Sequence, residues 1–436
     1  MTGVVKDRKG ILKKLQIAEL KPMQVEAHEV IQSGKDLILL SPTGTGKTLA
    51  FLLPVIEGLK ADSQEVQGLI LVPSRELAIQ IEQVTREMGT GFKTNAVYGG
   101  RSFSKDKIEI KHRPAILIGT PGRVADHLRR GTFSAMEIET LVLDEFDKSL
   151  EVGFEEEMRE ITEALPMLKQ RILTSATQEV DIPDFVGLSE VVCIDYLADG
   201  VSQLEIKTIL SPDKDKLDTL VEALCHLGNQ PGIIFCNFRD SIQRVSEFLD
   251  ASGVRHGCFH GGMEQLDRER TLVKFRNGTH QVILATDLAA RGIDIPELKF
   301  IIHYHLPQRS HEFTHRNGRT ARMNSEGTAY VLKWQGEKLP DFIQNPAVEI
   351  LLDAPLPKPS KWATLFLSGG RRDKISKGDI AGLFFKQGKL EKDELGVIEL
   401  KQDCAFVGVP LAKADQLIRV ANNVRLKKKK IRVTVI

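Results

Sequence analysis

The sequence predicts an α/β protein with two parallel-sheet domains in tandem and a small basic domain at its C-terminal end. Short apolar runs of strand length alternate with helix-like segments through two successive stretches, which is typical of parallel sheets covered on both faces. Prolines at positions 355, 357 and 359 then interrupt the chain, because proline cannot continue a helix or a central strand. The net charge changes sign nearby, from −8 over residues 1–360 to +9 over residues 361–436.

The first α/β domain is predicted over residues 1–197. Its buried strands are expected at six apolar runs: Leu37–Leu40, Leu69–Val72, Ala115–Ile118, Leu141–Leu143, Ile172–Leu173 and Val191–Ile194. A polar linker around Gly200 separates it from the second domain, residues 203–352. Strands of the second domain are expected at five further runs: Ile233–Phe235, Cys258–Phe259, Val282–Ala285, Phe300–Ile302 and Ala329–Leu332. The third domain is predicted over residues 361–436.

The composition is that of an ordinary globular protein, with 436 residues of which 42% are hydrophobic and 27% charged. No apolar run reaches the ~20 residues that a membrane span needs, and the N-terminal segment is too polar for a signal peptide. We therefore expect a cytoplasmic protein, and a monomer. The five cysteines show neither CxxC spacing nor a paired framework, which predicts reduced thiols and no zinc site.

A Gly-rich loop, Ser41-Pro42-Thr43-Gly44-Thr45-Gly46-Lys47-Thr48, lies between the first predicted strand and a predicted helix. The N–H groups of such a loop and of the helix N-terminus point at one spot, which favours a phosphate. Lys47 would reach the β and γ phosphates and the Thr48 hydroxyl would hold Mg²⁺. The pattern predicts a nucleotide site formed by Thr43, Gly44, Thr45, Gly46, Lys47 and Thr48. Ser41 replaces the usual Gly or Ala at its start.

An acidic tetrapeptide, Asp144-Glu145-Phe146-Asp147, follows the apolar run Leu141–Leu143. Ligands bind at the carboxyl ends of strands in open α/β sheets. Asp144 is therefore expected to hold Mg²⁺ through water, and Glu145 to polarise the water that attacks the γ phosphate.

These motifs resemble those of DEAD-box RNA helicases, in the same order along the chain. The first domain carries six of them: Gln24, the Gly-rich loop, Pro73–Ala78, Gly99-Gly100 with Thr120–Arg123, Asp144–Asp147 and Ser175–Thr177. The resemblance implies a RecA-like fold, with ATP and Mg²⁺ as cofactors and RNA as partner. It implies that Gln24 reads adenine, as an amide can, and that Ser175 and Thr177 couple nucleotide state to RNA through Asp147.

By the same resemblance, part of the first domain lines a track for the RNA backbone. The residues implied are Pro73, Arg75, Gly100, Thr120 and Arg123. Glycine N–H groups, hydroxyls and arginines are the groups that phosphate contacts require.

The second domain matches the family's later motifs at Ile233–Asn237, Gln265–Arg268, Ala285–Asp287 with Arg291–Asp294, and His315–Arg322. It has no phosphate loop of its own, so it would share the nucleotide of the first. Arg319 and Arg322, three apart on a predicted helix, would face one side. By the resemblance they would act as arginine fingers on the γ phosphate, with His315 in the same motif. Gly292 and Asp294 would contact the nucleotide, Asp294 at the ribose. The RNA contacts implied here are Gln265, Arg268 and Thr286.

The sequence departs from the family pattern at several positions. Phe146 replaces an alanine, so we expect altered packing with retained hydrolysis. No aromatic residue precedes Phe51, although the family has one upstream of the glutamine to pack near adenine. Asn317 and Ala321 replace the commoner isoleucine and glycine.

Residues 361–436 resemble the RNA-binding domain of DbpA-type bacterial helicases, an RRM-like α+β fold. The segment Cys404–Val407 has a cysteine where an ordinary RRM has a stacking ring. We therefore expect phosphate contacts and shape recognition rather than base stacking. The contacts are expected from Arg371, Arg372, Lys374 and the Lys427–Lys430 run, including Lys428.

The sequence thus predicts an ATP-dependent RNA helicase that remodels structured RNA, with large-subunit ribosomal RNA as the implied target during ribosome assembly. Two alternatives stay open at this point. One is an ATP-gated RNA clamp or chaperone that does not unwind, and the other is a DNA-acting ATPase on the same fold.

Overall fold

The computed structural model describes residues 7–151, 153–177, 181–198, 203–287, 295, 298–320, 326–344 and 346–436. The chain divides into two compact units, the first formed mainly by residues 1–202 and the second mainly by residues 203–436. Within the described ranges, every helix is too short or too polar to span a lipid bilayer.

In the described residues of the first unit, seven strands form one parallel sheet. They are β1 (Leu37–Leu40), β2 (Gly68–Leu71), β3 (Thr94–Val97), β4 (Ile116–Gly119), β5 (Thr140–Leu143), β6 (Gln170–Ser175) and β7 (Val192–Asp195). Their order across the sheet is β3-β4-β2-β5-β6-β1-β7. The helices of this unit are Arg8–Leu15, Pro22–Gln32, Lys47–Glu57, Arg75–Met88, Phe103–Ile110, Pro121–Arg129, Phe146–Glu151 and Glu155–Glu163.

Both faces of this sheet are buried, which explains why its strands are almost continuously apolar. Leu37 and Ile70 belong to the hydrophobic cluster on one face, together with Phe51 of the helix after the Gly-rich loop. Leu69 and Leu143 belong to the cluster on the other face. Each of the six predicted runs lies on a strand, displaced by at most one residue.

Strand β3 is absent from the prediction because its sequence, Thr-Asn-Ala-Val, carries two polar residues. Both are nevertheless buried. The Thr94 hydroxyl lies 2.8 Å from that of Thr85, on the helix that packs beside it. A hydrogen bond between these hydroxyls satisfies polar groups that an apolar pattern does not reveal.

The second unit contains another parallel sheet, ordered β10-β11-β9-β12-β13-β8-β14 in the described residues. The strands are β8 (Gln203–Ser211), β9 (Gly232–Phe235), β10 (Gly257–Phe259), β11 (Val282–Ala285), β12 (Phe300–His303), β13 (Glu326–Trp334) and β14 (Ala347–Val348). The helices that accompany them are Leu217–Leu227, Arg239–Ala251, Gln265–Arg276 and Ser310–Asn317. All five predicted runs lie within these strands, whereas β8 and β14 are absent from the prediction.

The C-terminal part of the second unit is a four-stranded antiparallel sheet. Its strands are β15 (Trp362–Leu367), β16 (Ile398–Leu400), β17 (Ala405–Pro410) and β20 (Val433–Val435), with helices Lys377–Lys386 and Ala414–Ala421 and a hairpin of β18 (Arg425–Leu426) and β19 (Lys429–Lys430). The order β16-β17-β15-β20 and the βαββαβ succession are those of the predicted RRM-like fold.

This C-terminal domain packs against the second α/β domain through the outer face of its sheet. The hydroxyls of Thr279 and Thr364 lie 2.7 Å apart, and Arg276 donates to Glu399 over 2.6 Å. Thr364 is fully buried, and Asn277 is 6% exposed beside it. The tail is therefore docked on this domain by buried polar contacts.

Candidate nucleotide-binding and RNA-binding site

The loop of residues 41–46 joins β1 to helix Lys47–Glu57 by two glycines in left-handed conformations. Gly44 has a φ of 82° and Gly46 a φ of 100°, values that strain any residue with a Cβ. A Cβ at Gly46 would also meet Gln24 Nε2 at 2.6 Å. The sharp turn presents the first-turn N–H groups of the helix, which cannot pair within it, at the end of β1. Such groups suit phosphate oxygens.

The Lys47 ammonium is folded back onto this loop. It donates to the carbonyl oxygens of Ser41 and, over 3.1 Å, of Pro42, and the residue is only 8% exposed. A phosphate would offer charged acceptors in place of these neutral carbonyls, and charge-assisted hydrogen bonds are the stronger ones. The lysine is thus already held at the loop that the sequence predicts as the phosphate site.

Gln24 is held against the loop from helix Pro22–Gln32. Its Nε2 donates to Gly46 O over 3.2 Å, and its Oε1 accepts from Lys21 N at 2.9 Å. Lys21 Nζ in turn donates to Thr45 O over 3.0 Å. One N–H and one lone pair of the amide are therefore used locally, and an amide has a second of each for a base edge.

Two carboxylates emerge at the end of β5. Asp144 is 3% exposed and accepts a 2.5 Å hydrogen bond from the Thr174 hydroxyl. Burial, and secondarily the neighbouring Glu145 charge, raise the pKa of Asp144 to about 6. The same Thr174 hydroxyl accepts from Glu145 N over 3.1 Å. Thr174 was not predicted as a site residue, and its only signal in the sequence is its position directly before Ser175.

Glu145 has a φ of 49°, a left-handed conformation that is uncommon for a residue with a side chain. Its Oε2 is buried and, within the described part of the chain, accepts no hydrogen bond. The Asp144 carboxylate, whose pKa is raised, and the unpaired Glu145 oxygen are therefore neighbours, and a bound cation would neutralise their negative charge. Mg²⁺ prefers oxygen ligands, so Asp144, with Thr48 after the loop lysine, fits the predicted metal role.

Asp147 links the acidic motif to the end of β6. Its Oδ2 lies 3.3 Å from the Thr177 hydroxyl and 3.2 Å from Lys148 Nζ. Thr177 N donates to Ser175 Oγ over 3.0 Å, and Ser175 O accepts from Ser41 N. A chain of hydrogen bonds thus connects the acidic motif, the Ser-Ala-Thr motif and the phosphate loop.

Phe146 is buried in the hydrophobic core next to these polar groups. It is 2% exposed and belongs to the same hydrophobic cluster as Leu143 and Leu173. The ring also lines a cavity of about 250 Å³ whose other walls include Thr174, Ser175 and Thr177. The residue that replaces the family's alanine therefore fills space beneath the two motifs.

The residues implied for RNA in the first unit follow three neighbouring strands. Pro73 and Arg75 follow β2, Gly100 follows β3, and Thr120 and Arg123 follow β4. Because these parallel strands are adjacent in the order β3-β4-β2, the five residues share one edge of the sheet. Gly100 has a φ of 78°, and a Cβ there would meet the Arg75 guanidinium at 2.3 Å.

In the second unit, Gln265 and Arg268 occupy the first turn of helix Gln265–Arg276. Arg268 Nη1 donates to His260 O over 3.3 Å, and its guanidinium lies 4.6 Å from the centroid of the Phe259 ring. Thr286 follows β11 directly. Gly292, Asp294 and Arg322 lie outside the described residues.

The predicted helix through Arg319 is wrong, because helix Ser310–Asn317 ends before it. Gly318 caps the helix, and Arg319 follows in a turn in which its N–H donates to Arg316 O. Thr320 then forms a bridge with Leu298, donating from its hydroxyl to Leu298 O over 2.6 Å. This strand-like pairing stops the helix. His315 lies on its last turn and is 8% exposed.

A buried network at this helix was not predicted. Arg316 is 2% exposed and makes two 2.6 Å hydrogen bonds to the Asp287 carboxylate. It also donates to Asn237 Oδ1 over 2.8 Å. The arginine and aspartate stand among the family motifs, but the sequence does not show that they pair.

Asn317 belongs to the same network. Burial, and secondarily the Arg316 charge, lower the pKa of His303 to about 3, so this imidazole is neutral. Its Nε2 lies 3.0 Å from Asn317 Oδ1, which assigns the N–H to Nε2, because an amide oxygen only accepts. Asn317, which replaces the family's isoleucine, thus supplies the acceptor that a buried histidine requires.

The basic residues of the C-terminal domain lie on loops beside its sheet. Arg371, Arg372 and Lys374 surround a short turn, and Arg372 pairs with Asp403 over 2.9 Å. Lys428 is exposed at the turn of the β18–β19 hairpin. Lys429 of the same hairpin lies 3.4 Å from Asp373, so the two basic segments are neighbours.

The sheet of this domain is not open for stacking. Phe406, the aromatic residue of the segment Cys404–Val407, is 1% exposed and contacts Phe366 with 5.7 Å between ring centroids. Gly408 on the same strand faces Asn277 of the α/β domain, and a Cβ there would lie 2.9 Å from Asn277 Oδ1. The outer face of this sheet is thus occupied by the protein itself.

Comparison with known proteins agrees with this arrangement. Residues 21–185 match the DEAD/DEAH box helicase family, residues 215–324 the helicase conserved C-terminal domain, and residues 364–435 the DbpA RNA binding domain. The chain is 32% identical over 435 residues to the ATP-dependent RNA helicase DbpA of Bacillus subtilis, covering 92% of this chain and 91% of that protein. It is 31% identical over 439 residues to DbpA of Escherichia coli, with 97% and 95% covered.

Two solved structures resemble most of the chain. One is that of S. cerevisiae Dbp5 bound to RNA and ADP BeF3, with a TM-score of 0.68 and 27% identity over 75% of this chain and 87% of that chain. The other is that of Mss116 bound to ssRNA and UDP-BeF, with a TM-score of 0.68 and 26% identity over 76% of this chain and 74% of that chain.

Proposed function

Because the chain belongs to the DEAD-box family of ATP-dependent RNA helicases, we propose that it remodels structured RNA locally and that its tail selects the RNA. By the tail's resemblance, the target is a hairpin of large-subunit ribosomal RNA during ribosome assembly. We further propose that the protein acts as a cytoplasmic monomer. The observation that carries the proposal is the DbpA-type domain at residues 364–435, which follows a helicase core that keeps the lysine and the carboxylates of the nucleotide motifs.

The first step is the binding of ATP at the Gly-rich loop. The N–H groups from Thr43 to Thr48 would bind the phosphates, and Lys47 would exchange its two carbonyl acceptors for phosphate oxygens. Gln24 would offer its remaining N–H and lone pair to adenine. Mg²⁺, held by Thr48 and through water by Asp144, would neutralise charge on the phosphates.

Hydrolysis requires a base beside the γ phosphate. Glu145 has a carboxylate oxygen without a partner in the described residues. Its backbone turns into the left-handed conformation directly after β5, and this turn sets the direction of the side chain. We assign it the orientation and deprotonation of the attacking water. Burial raises the pKa of Asp144 to about 6. A bound cation would lower this pKa again and so favour the ionised carboxylate.

Coupling to RNA would use two hydrogen bonds, one that Asp147 accepts from the Thr177 hydroxyl and one that Ser175 O accepts from Ser41 N of the phosphate loop. A shift of the acidic motif on hydrolysis would reach β6 through these bonds. Arg319 and Arg322 would supply positive charge to the γ phosphate in the closed state of the two α/β domains. RNA would be held by Pro73, Arg75, Gly100, Thr120 and Arg123 in one domain and by Gln265, Arg268 and Thr286 in the other.

In the tail, the contacts with RNA would come from the loops and not from the sheet. The basic turn at Arg371, Arg372 and Lys374 adjoins the hairpin that carries Lys428. Both segments are positively charged and project from the domain beside the covered sheet face. Such a surface suits the recognition of a folded RNA by its backbone and shape.

The test is steady-state ATPase activity with no nucleic acid, with a generic RNA duplex, with ribosomal RNA and with DNA of the same sequence. Stimulation by ribosomal RNA well above the generic duplex supports both the helicase function and the targeting. Equal stimulation by every RNA removes the targeting, and equal stimulation by DNA favours a DNA-acting ATPase. Stimulation without displacement of an annealed strand would indicate an RNA clamp.

A further inference from the structure

A polar cavity of about 440 Å³ lies where the C-terminal domain meets the second α/β domain. One wall is formed by helix Gln265–Arg276 and by His280, two residues before β11, and the other by strand β20 and the residue after it. The side chains on the first wall are Asp267, Arg270, Thr271, Lys274 and His280, and those on the second are Thr434, Val435 and Ile436.

Within the described chain, the first wall contains two buried nitrogens without a hydrogen-bond partner. They are Nε of Arg270 and the ring nitrogen Nδ1 of His280. Arg270 and Lys274, one helical turn apart, lie on the same face of the helix. The contact of Arg270 with the Asp267 carboxylate is long, at 3.4 Å from Nη1.

The electrostatics of the cavity favour an anion. Burial, and secondarily the Arg270 charge, lower the pKa of Lys274. Burial together with Lys274, His256 and Arg255 lowers the pKa of His280 to about 4. His280 is therefore neutral, and the charged side chains of the lining are Arg270, Lys274 and the Asp267 carboxylate. The two cations repel each other, and a bound anion would relieve this repulsion. Thr434 adds a hydroxyl from the opposite wall.

From these contacts we infer that the cavity binds a phosphate group, held by Arg270, Lys274, His280 and Thr434. Arginine and lysine donors with a hydroxyl and an imidazole are a suitable set for a phosphate monoester or diester. Nothing in the sequence motifs assigns these residues, because the cavity forms only where the tail is docked.

A backbone phosphate of RNA is the source that the position favours. Gln265 and Arg268, implied in RNA binding, occupy the first turn of the helix that carries Arg270 and Lys274. Nine residues separate Gln265 from Lys274, about 14 Å along a helix. RNA that leaves the first turn toward the tail would therefore pass the cavity. This inference rests on the proposed RNA helicase function. The experiments below distinguish a failure of the inference from a failure of that function.

The test compares two double variants of the full chain. Arg270→Gln with Lys274→Gln removes two charges from the cavity, and Arg244→Gln with Lys299→Gln removes the same charges elsewhere in the same domain. The affinity for a labelled hairpin with an adjoining duplex is measured by fluorescence anisotropy between 50 and 200 mM salt, a range over which phosphate contacts have large effects (~10³-fold or more for several contacts). For one lost phosphate contact we expect the slope of log K against log salt to fall by about 0.9, and affinity to fall about fivefold at 0.15 M salt.

The matched control should keep the parental slope. An unchanged slope in the cavity variant overturns the inference, and so does an equal change in both variants, which would reflect overall charge alone. Both tryptophans, Trp334 and Trp362, lie in the second unit, so their fluorescence checks that each variant is folded. If the double variant does not fold, Lys274→Gln alone carries the same test.

A second arm separates the two sources of phosphate. Inorganic phosphate, with chloride at equal ionic strength as reference, is titrated into the parental chain and the cavity variant without RNA, and thermal unfolding is followed. Stabilisation of the parental chain only, with no change in the RNA slope, identifies a free-anion site and overturns the RNA assignment. If the parental chain binds no RNA, the proposed function fails as well, whereas failure of the cavity alone leaves parental RNA binding intact.

Discussion

Replacing Asn317 by leucine should destabilise the second unit without touching any predicted ligand contact. The imidazole of His303 is fully buried, and its Nε2 donates to Asn317 Oδ1 over 3.0 Å. Leucine has a similar size but no acceptor, so the imidazole N–H would be left unpaired. An unsatisfied buried donor costs about 1–3 kcal/mol. For a unit of this size, about 2 kcal/mol corresponds to a melting temperature lower by about 4–8 °C.

The assay is urea unfolding of the full chain followed by tryptophan fluorescence. Because both tryptophans lie in the second unit, the signal reports on that unit. The midpoint should fall while the urea dependence of the free energy of unfolding stays the same. The pKa of His303 is about 3, so the imidazole is neutral at pH 6 and at pH 8 and the loss should be equal at both.

A second variant tests the cause of the loss. His303→Phe together with Asn317→Leu removes both polar partners and keeps a ring beside Phe313, whose centroid is 4.9 Å from that of His303. Removing both partners can be nearly neutral, whereas removing one is not. The double variant should therefore be more stable than Asn317→Leu alone. Additive losses, or a single variant as stable as the parent, would refute the reasoning.

Four further predictions concern the site. Asp144→Asn should stabilise the first unit by roughly 3 kcal/mol at pH 7 in buffer without nucleotide or metal. The pKa of Asp144 is raised to about 6, so the parental domain loses stability as the pH rises from 4 through 6, and asparagine does not ionise. Calorimetry at pH 5 and 8 checks this, and an Asn variant whose stability varies with pH like the parent would contradict it. Glu145→Gln should retain ATP binding and reduce turnover at least about a hundredfold, measured by nucleotide titration and steady-state hydrolysis; unchanged turnover would remove its role as base. Arg316→Met should cost about 3–5 kcal/mol, because it leaves the Asp287 carboxylate without its arginine; unfolding followed by tryptophan fluorescence would disprove this if the midpoint did not move. Gly100→Ala should weaken RNA binding and spare ATP binding, because a φ of 78° strains a residue with a Cβ and because that Cβ would displace the Arg75 guanidinium. Equal affinity for RNA would argue against this edge of the sheet as the RNA track.

The sequence was sufficient to predict the two parallel sheets, because strands buried on both faces are almost wholly apolar. Leu37–Leu40 and Val282–Ala285 are predicted at their observed bounds. Strand β3 was missed because Thr94 and Asn95 are polar, and the hydrogen bond that allows Thr94 to be buried comes from a helix nine residues earlier. The apolar pattern predicts which apolar residues are buried, but it does not reveal polar residues whose burial depends on hydrogen bonds.

In the candidate site too, the sequence predicts residues that belong to a motif and misses residues that matter through a contact in space. Ordered motifs predicted Lys47 and Asp144, whose roles depend on their own chemistry and on their place after a strand. They did not predict Thr174, because its hydroxyl is important only through its two neighbours in space, the Asp144 carboxylate and the Glu145 N–H. They also placed Arg319 on a helix that ends at Asn317, because the bridge from Thr320 to Leu298 is a contact between distant parts of the chain.

The departures from the family pattern become intelligible once packing is known. Asn317 replaces an apolar residue, and it stands opposite His303, a histidine whose burial requires an acceptor. Phe146 replaces a small residue, and its ring fills the core beneath the acidic motif. In each case the substitution changes the packing next to a motif, while the carboxylates and arginines that the motif predicts for the site are present.

The docking of the tail explains why its sheet has so few groups for stacking on bases. Thr364 and Phe406 are almost completely buried, and Gly408 leaves space for Asn277 of the neighbouring domain. Cys404 is partly buried and lies close enough to Glu269 and Arg270 of that domain for their charges to influence its pKa, so a ring in its place would lie near this domain. Small and polar residues on this face therefore favour docking over RNA stacking.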